Sequence, residues 1–183
     1  SITILFSIFF AFISCKKEST IKSEEKQTSA VLDSLASKYY DQYLQFYPLE
    51  ATSQGVNKYN DQLTNTITTS FITKEISFYT EIQEELKKID YNQLSEDDKV
   101  VFDVLDYTLK DKIEKYVYHP EYIPFTQFGG LPLDFPLLGS GEGSQPFKNN
   151  KDYDNWLRRM EKFPEWMDTA IANFKIGIKN KQV

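Results

Sequence analysis

Apolar residues recur every three or four positions in four stretches of the chain, with polar residues between them. This spacing places the apolar side chains on one face of a helix. The first stretch ends before Pro48, because a proline disfavours the α conformation of the residue before it. In chain order, the four stripes are Leu32, Leu35, Tyr39, Tyr43 and Phe46; Ile72, Ile76, Tyr79, Ile82, Leu86 and Ile89; Val101, Leu105, Leu109, Ile113 and Tyr116; and Tyr153, Trp156, Leu157, Met160, Phe163, Met167, Phe174 and Ile178.

Polar residues mark the ends of the predicted helices. Ser95 is the predicted N-cap of the third helix, and residues 96–98 are Glu-Asp-Asp, in the first turn, where the helix dipole favours negative charge. We therefore interpret this acidic run as a helix start and not as a cluster of catalytic carboxylates. Asp152 is the predicted cap of the last helix, and Pro164 is expected to kink or split that helix.

Residues 119–147 differ from the rest, since they hold five of the seven prolines and five of the seven glycines. Regular helix is therefore not expected there. The segment is nevertheless too apolar for a free linker, and long loops inside compact domains are often functional. Tyr122, Gln127 and Phe128 are the residues that we predict to line a substrate site. Residues 139–143, "GSGEG", lack the flanking signals of a phosphate loop and are interpreted as a flexible turn.

No alternating run of apolar and polar residues predicts a strand. The expected fold is all-α, with four to five helices and one long hydrophobic loop rich in proline and glycine. The chain has 12 Tyr, 14 Phe and 2 Trp, and most of these rings lie on the helical stripes. Core packing therefore explains them better than a carbohydrate-binding platform does.

The beginning of the chain resembles a secretory leader. Residues 2–13 are almost wholly apolar, too short to span a bilayer as a helix and typical of a signal peptide. They run into Ile13-Ser14-Cys15, which resembles the site where a bacterial lipoprotein is cleaved and acylated on cysteine. A buried thiol is the alternative for Cys15. We predict an incomplete signal peptide over residues 1–14 and a flexible tether with lipidated Cys15 over 15–29. An amino-terminal helical part of a larger domain is predicted over 30–183.

This division predicts a protein of the bacterial cell envelope, held on a membrane by the lipid at Cys15 and either periplasmic or surface-exposed. The net charge of −6 and the pI of about 4.9 argue against a nucleic-acid partner, whose phosphates require Lys and Arg. One cysteine and one histidine exclude a cysteine-rich zinc site within the chain. His119 is interpreted as a residue of a helix end and not as a general base or metal ligand.

Three segments resemble the amino-terminal part of the bacterial family called "domain of unknown function 885". The resemblance covers roughly residues 30–183. Each segment is a weak signal alone, and the order and spacing of the three segments make the resemblance specific. Its motif residues are Pro48, Ala51, Thr52 and Gly55; then Leu94 and Asp98; then Asp152, Tyr153, Leu157, Arg159 and Gly177.

The resemblance implies a mostly helical protein, often a secreted lipoprotein, similar to zinc metallopeptidases. Such proteins carry a His-Glu-x-x-His-like helix in the carboxy-terminal half, where two histidines hold zinc and the glutamate activates water. This sequence has no such motif, so no catalytic or metal residue is carried over. Zinc and a peptide substrate are expected only with a missing carboxy-terminal half, and this chain alone is expected to be inactive. A non-catalytic lipoprotein that binds a peptide or partner, or a scaffold without ligand, are the alternatives.

Overall fold

The computed structural model describes residues 14–182, with side chains described from residue 26 onward. Over that part the protein contains helices and no strand, which confirms the all-α prediction. Five of the helices have at least seven residues, in line with the expected four to five. The α-helices are α1 (Ser14–Phe46), α2 (Pro48–Ser53), α3 (Thr69–Leu86), α4 (Glu96–Glu114), α5 (Leu131–Leu138) and α6 (Asn150–Lys179).

Helices α1, α3 and α4 pack around one hydrophobic core. The stripes predicted for these helices supply most of it, although Val101 is exposed on α4. Among the described residues, no helix has both the length and the hydrophobicity needed to cross a bilayer. The buried members of the core are Leu32, Leu35, Tyr79, Ile82, Leu86, Leu94, Leu105 and Leu109.

Helix α1 begins at Ser14, earlier than the start near residue 30 that the sequence predicts. Residues 16–29 contain no proline or glycine and several Lys, Glu and Gln, which are good helix formers. The end of this segment also contacts the core helices, since the Ser29 hydroxyl donates to the Asp98 carboxylate. The division into leader, tether and helical part stays a prediction, and residues 1–13 of the leader lie outside the described residues.

Pro48 ends α1 as predicted and also begins α2, where its missing N–H leaves no hydrogen bond unmade. Helix α2 ends at a glycine in the left-handed conformation, Gly55 with φ +78°. The Gly55 N–H donates to the Thr52 carbonyl over 3.0 Å, and the Val56 N–H donates to the Ala51 carbonyl over 2.8 Å. These two bonds form a Schellman motif, which satisfies the carbonyls at the end of the helix.

The predicted cap of α4 is confirmed, because the Ser95 side chain accepts a hydrogen bond from the Asp98 N–H. The cap predicted for the last helix was wrong. Asn149 is the N-cap of α6, and Asp152 is the third residue of the helix, in a reciprocal capping box. Pro164 does not split the helix, which is continuous through it; Phe163 packs on Trp166 across this position, at a ring distance of 6.5 Å.

The long stripe predicted for the last helix is divided in the structure. Its rings at Trp156 and Phe163 pack inward, against Phe135 of α5. Four of its members are exposed instead: Tyr153, Leu157, Met160 and Ile178. Their apolar character showed that one face of the helix is hydrophobic, but the periodicity could not show which part of that face other helices cover.

The expectation of no helix in residues 119–147 was wrong, since α5 lies there. A proline in the first turn starts this helix, as the missing N–H of such a residue costs nothing. Pro136 inside the helix removes one backbone hydrogen bond. Packing of Phe135 on Phe163, with the rings stacked 4.9 Å apart, stabilises the helix against α6.

Candidate functional site

The predicted substrate-lining residues lie on an aromatic turn, which we define as residues 122–130. The Thr126 N–H donates to the Gly129 carbonyl over 3.0 Å and closes the turn. The Phe128 N–H donates to the Thr126 hydroxyl over 3.2 Å. Gln127 and Phe128 occupy the tip, and the Phe128 side chain is 90% exposed. The turn therefore presents a large ring to solvent.

The base of the aromatic turn is anchored in the helical body. Phe125 packs edge-on against Phe174, with ring centroids 5.1 Å apart, and lies 6.3 Å from Trp166. Gly130 has φ +124°, and a Cβ at this position would collide with Phe125. The exposed ring at the tip thus stands on a base with little room to shift.

Tyr122 lies at the start of the turn and is half-buried. Its ring stacks on His119 at 4.8 Å with an interplanar angle of 12°. His119 has a left-handed backbone (φ 51°) at the end of a 3-10 turn, and its Nδ1 is 2.9 Å from Glu121 Oε1. The structure therefore brings Gln127 and Phe128 together at the tip, while Tyr122 packs on a neighbouring ring.

A second candidate site, which the sequence analysis missed, surrounds the fully buried carboxylate of Glu75 on α3. Its Oε1 accepts hydrogen bonds from the hydroxyls of Tyr79, over 2.7 Å, and Tyr47. Its Oε2 accepts from the Tyr116 hydroxyl and lies 3.6 Å from Lys115 Nζ. The sequence signal for this site is Glu75 itself, an acidic residue one helical turn before Tyr79 on an otherwise apolar face of the helix.

Electrostatic interactions in this cluster keep its three tyrosine hydroxyls protonated. Burial, together with the charge of Glu75 and its hydrogen bonds, raises the pKa of Tyr47, Tyr79 and Tyr116. Burial lowers the pKa of Lys115, and the attraction of Glu75 opposes that shift. The three phenols therefore remain protonated donors, committed to the carboxylate. This arrangement holds a negative charge in place and offers no activated phenolate nucleophile.

A third polar centre is Arg159 of α6, which is fully buried. Burial lowers the pKa of its guanidinium to about 10, with Asp61 opposing the shift. None of the acceptors bonded to this guanidinium is a carboxylate. They are the carbonyls of Pro48 (3.1 Å), Tyr59 (3.0 Å) and Gln62 (3.0 Å), the Thr52 hydroxyl (2.6 Å) and the Gln145 side-chain oxygen.

Residues 54–68 connect α2 to α3 through a 3-10 turn at Asn57–Tyr59, and the last part of this connecting segment, 60–68, follows α6 beyond Arg159. The Asn65 amide donates to the Thr169 hydroxyl over 2.8 Å. One turn later, the buried Asn173 amide donates to the Ile67 carbonyl over 2.8 Å. The buried face of α6 therefore pairs polar side chains with the connecting segment, which explains why this face carries Arg and Asn.

The sequence matches a family described as "Bacterial protein of unknown function (DUF885)" over residues 48–183. The match covers well over half of the chain. The chain belongs to the DUF885 family. No curated protein and no solved structure matches it.

The structure shows what the motif residues of this DUF885 chain do. Arg159 binds Pro48 and Thr52 directly, so the first and third motif segments meet in one buried centre. In the second segment, Leu94 is buried in the core, and Asp98 accepts hydrogen bonds from two serine hydroxyls. The motifs therefore describe the architecture of this part of the protein.

Among residues 26–182, the part of the DUF885 chain whose side chains are described, the structure shows no group of three or more His, Cys, Asp or Glu side chains that could hold a metal ion. The described residues therefore do not fit a zinc site, and no reaction step is assigned to them. Cys15 lies in the first turn of α1, but its side chain is outside the described part, so its lipidation stays a prediction.

Proposed function

We propose that this DUF885 chain is the amino-terminal helical half of a secreted, lipid-anchored hydrolase that cleaves peptide or amide bonds. In this proposal the chain supplies the scaffold and the aromatic turn forms part of the substrate cleft. Zinc would be held by the carboxy-terminal half, where it would activate water for attack on the amide carbonyl. The lipid at Cys15 would hold the protein in the cell envelope.

The observation that carries the proposal is the exposed ring of Phe128 on its anchored base. A side chain of this size contributes nothing to the core when it is 90% exposed. Aromatic residues on stiff supports bind partners at low entropic cost, since few bonds must be frozen. The neighbouring Gln127 amide offers a donor and an acceptor for a peptide backbone. This combination suits an extended peptide.

The scaffold role is supported by the Arg159 centre. Its guanidinium is fully buried and bonded to five acceptors from three separate parts of the chain, so it is committed to holding those parts together. A buried charge arranged in this way is costly to disturb. The family motif residues that meet at Arg159 would then specify a rigid scaffold that forms one side of the substrate cleft.

The test uses the full-length protein, that is, the polypeptide encoded by the complete gene. We expect bound zinc and a peptidase activity that is lost with a chelator and restored by zinc. Phe128→Ala is expected to raise KM for peptides by about tenfold, because it removes an aromatic contact worth ~1.4 kcal/mol, with little change in kcat. Tyr107→Ala on α4, a ring that is also exposed, is the matched control and leaves KM unchanged.

Two results would contradict the proposal. Activity that persists after complete removal of metal excludes the zinc mechanism. An unchanged KM for the Phe128→Ala protein excludes the aromatic turn from the cleft. The lipid anchor is tested separately, since Cys15→Ala should abolish metabolic labelling with palmitate.

The second candidate function is a non-catalytic lipoprotein that binds a peptide or a protein partner through the aromatic turn. The same exposure of Phe128 favours it. Peptide binding that depends on Phe128, measured by calorimetry without any cleavage, would support this function over hydrolysis.

A further inference from the structure

Helix α6 carries a second apolar surface on its solvent side, which we call the outer stripe. Its members run along the helix from the first turn to the last. Five of them have exposed fractions between 47% and 64%, and the sixth, the proline, is also exposed. The outer stripe consists of Tyr153, Leu157, Met160, Pro164, Ile171 and Ile178.

The spacing of the outer stripe indicates what kind of structure covers it. Its first four members are 4, 3 and 4 residues apart, which is the spacing of a heptad seam, and the last two follow at steps of 7, one position per heptad. A seam that repeats every ~3.5 residues is typical of a helix that packs lengthwise against another helix. The stripe is roughly 38 Å long at ~1.5 Å per residue. An apolar seam of this kind in water marks an interaction surface.

The charges beside the outer stripe indicate the chemistry of the partner. Asp154, Glu161 and Asp168 follow the same heptad spacing along one edge, which is acidic over these three positions and ends at Lys175. In paired helices, residues at such flanking positions select partners by charge. A partner helix with Lys or Arg at its own flank would complement this edge, whereas an acidic flank would be repelled.

A second copy of the chain fits this surface poorly. The stripe is about 38 Å long and ~10 Å wide, so pairing would bury about 800 Å² in total, below the ~1,200 Å² of stable complexes. In an antiparallel pair of α6 helices, Glu161 would also lie near Asp168 of the other copy. A helix on the same polypeptide can bind through this small area, because tethering supplies an effective concentration in the ~mM range.

We infer that the outer stripe is the docking face for an amphipathic helix with an apolar seam and a Lys/Arg flank, supplied by the carboxy-terminal half of the same polypeptide. The inference rests on the proposed function for the existence of that half. It adds the place where the two halves meet and the kind of element that joins them.

Met160 provides a native probe of this face, since the chain has two methionines, Met160 and the half-buried Met167. Peroxide oxidation followed by mass spectrometry reports the accessibility of each sulfur. We expect Met160 to be oxidised rapidly in the 183-residue chain and at least ~tenfold more slowly in the full-length protein, where opening of the interface limits access.

A charge placed on the stripe should undo this protection. Ile171→Lys in the full-length protein is expected to restore fast oxidation of Met160. In the 183-residue chain the same change should shift the unfolding midpoint by less than about 2 °C, since the site is on the surface. Ile176→Lys is the matched control: Ile176 is also exposed on α6, at 42%, but lies off the stripe, and its replacement leaves Met160 protected.

Two outcomes overturn the inference. One is equal oxidation of Met160 in the full-length protein and in the 183-residue chain. The other is protection in the 183-residue chain itself that grows with concentration, since it would assign the face to a second copy. The readout does not depend on catalysis. If Met160 is protected but the protein has no zinc or peptidase activity, the docking face is supported and the proposed function is contradicted. If the protein has zinc-dependent activity but Met160 is not protected, the proposed function is supported and the docking face is contradicted.

Discussion

Among residues 26–182, two charged side chains are fully buried, those of Glu75 and Arg159, and they are stabilised in different ways. Glu75 is held mainly by side chains, since its donors are three tyrosine hydroxyls and the Lys115 ammonium lies 3.6 Å from its Oε2. Arg159 is held mainly by the backbone, because three of its five acceptors are main-chain carbonyls. One centre joins α3 to the neighbouring helices, and the other joins α6 to α2 and the connecting segment.

This difference determines which substitutions each centre tolerates. A side-chain donor can be deleted by a single substitution, so the Glu75 cluster depends on the identity of each tyrosine. A backbone carbonyl persists whatever side chain its residue carries. The Arg159 centre therefore depends on the arginine itself and on the path of the chain around it. Both centres obey the rule that buried charges must be fully solvated by protein groups.

The largest expected effect comes from Arg159→Met. The methionine fills part of the volume but removes all five hydrogen bonds of the guanidinium, including those that tie α6 to the carbonyls of Pro48, Tyr59 and Gln62. We expect a loss of about 3–5 kcal/mol in the free energy of unfolding, measured by urea denaturation. Arg158→Met is the control, because Arg158 is largely exposed and pairs with Asp61 at 3.2 Å on the surface; it should cost less than ~1 kcal/mol. Equal losses in the two variants would contradict a special role for Arg159.

The next effect is that of Glu75→Gln, which keeps the shape but removes the charge. The amide nitrogen then faces a hydroxyl hydrogen where a carboxylate oxygen accepted it. We expect a loss of about 2–3 kcal/mol, in the range of hydrogen bonds to charged groups. Glu81→Gln, at an exposed residue of the same helix that pairs with Lys38, should change stability by less than about 0.5 kcal/mol. A neutral result for Glu75→Gln would mean that the cluster does not require a charge.

The fold was largely predictable because its signals are local. The Ser95 cap, the proline that ends α1 and the stripes of α3 and α4 each depend on residues a few positions apart. The errors arose where packing overrides local preference. Phe135 stabilises a helix that contains Pro136, and the rings around Pro164 accompany a helix that local rules would interrupt.

The candidate sites were less predictable because they combine distant residues. Tyr116 and Glu75 are 41 positions apart, and Arg159 is 111 positions from Pro48. No sequence spacing marks such pairs, although the motifs did include both Pro48 and Arg159. The exposed Phe128 was predicted as a site residue because periodicity left it without a place in the core, and the structure places it at the tip of a turn.

Alkaline pH separates the two centres further, through Tyr79→Phe. The pKa of Tyr79 is raised in the fold, so its contribution to stability is complete below pH ~10 and is lost as the pH rises above that value. The wild type should therefore lose stability more steeply than the variant above pH ~10, by about 1.4 kcal/mol per pH unit. Lys115, whose pKa is lowered, acts in the opposite direction but is present in both proteins. Urea denaturation between pH 8 and about 11.5 measures the slopes; parallel slopes would contradict the assignment.

The smallest effect is expected for Thr52→Val, which deletes the one hydroxyl among the Arg159 acceptors while keeping the side-chain volume. Arg159 Nη2 keeps the carbonyls of Pro48 and Tyr59 as acceptors, at 3.1 and 3.0 Å, so the charge stays solvated. The same hydroxyl also donates to Asn60 Oδ1, over 2.8 Å. We expect a loss of about 1–2 kcal/mol in urea denaturation, because the change removes buried hydrogen bonds between neutral groups and leaves the charge solvated. Thr80→Val, whose hydroxyl bonds a carbonyl one turn earlier on exposed helix, is the control. A loss as large as that of Arg159→Met would show that the hydroxyl, and not the backbone, holds the guanidinium, and the contrast between the two centres would disappear.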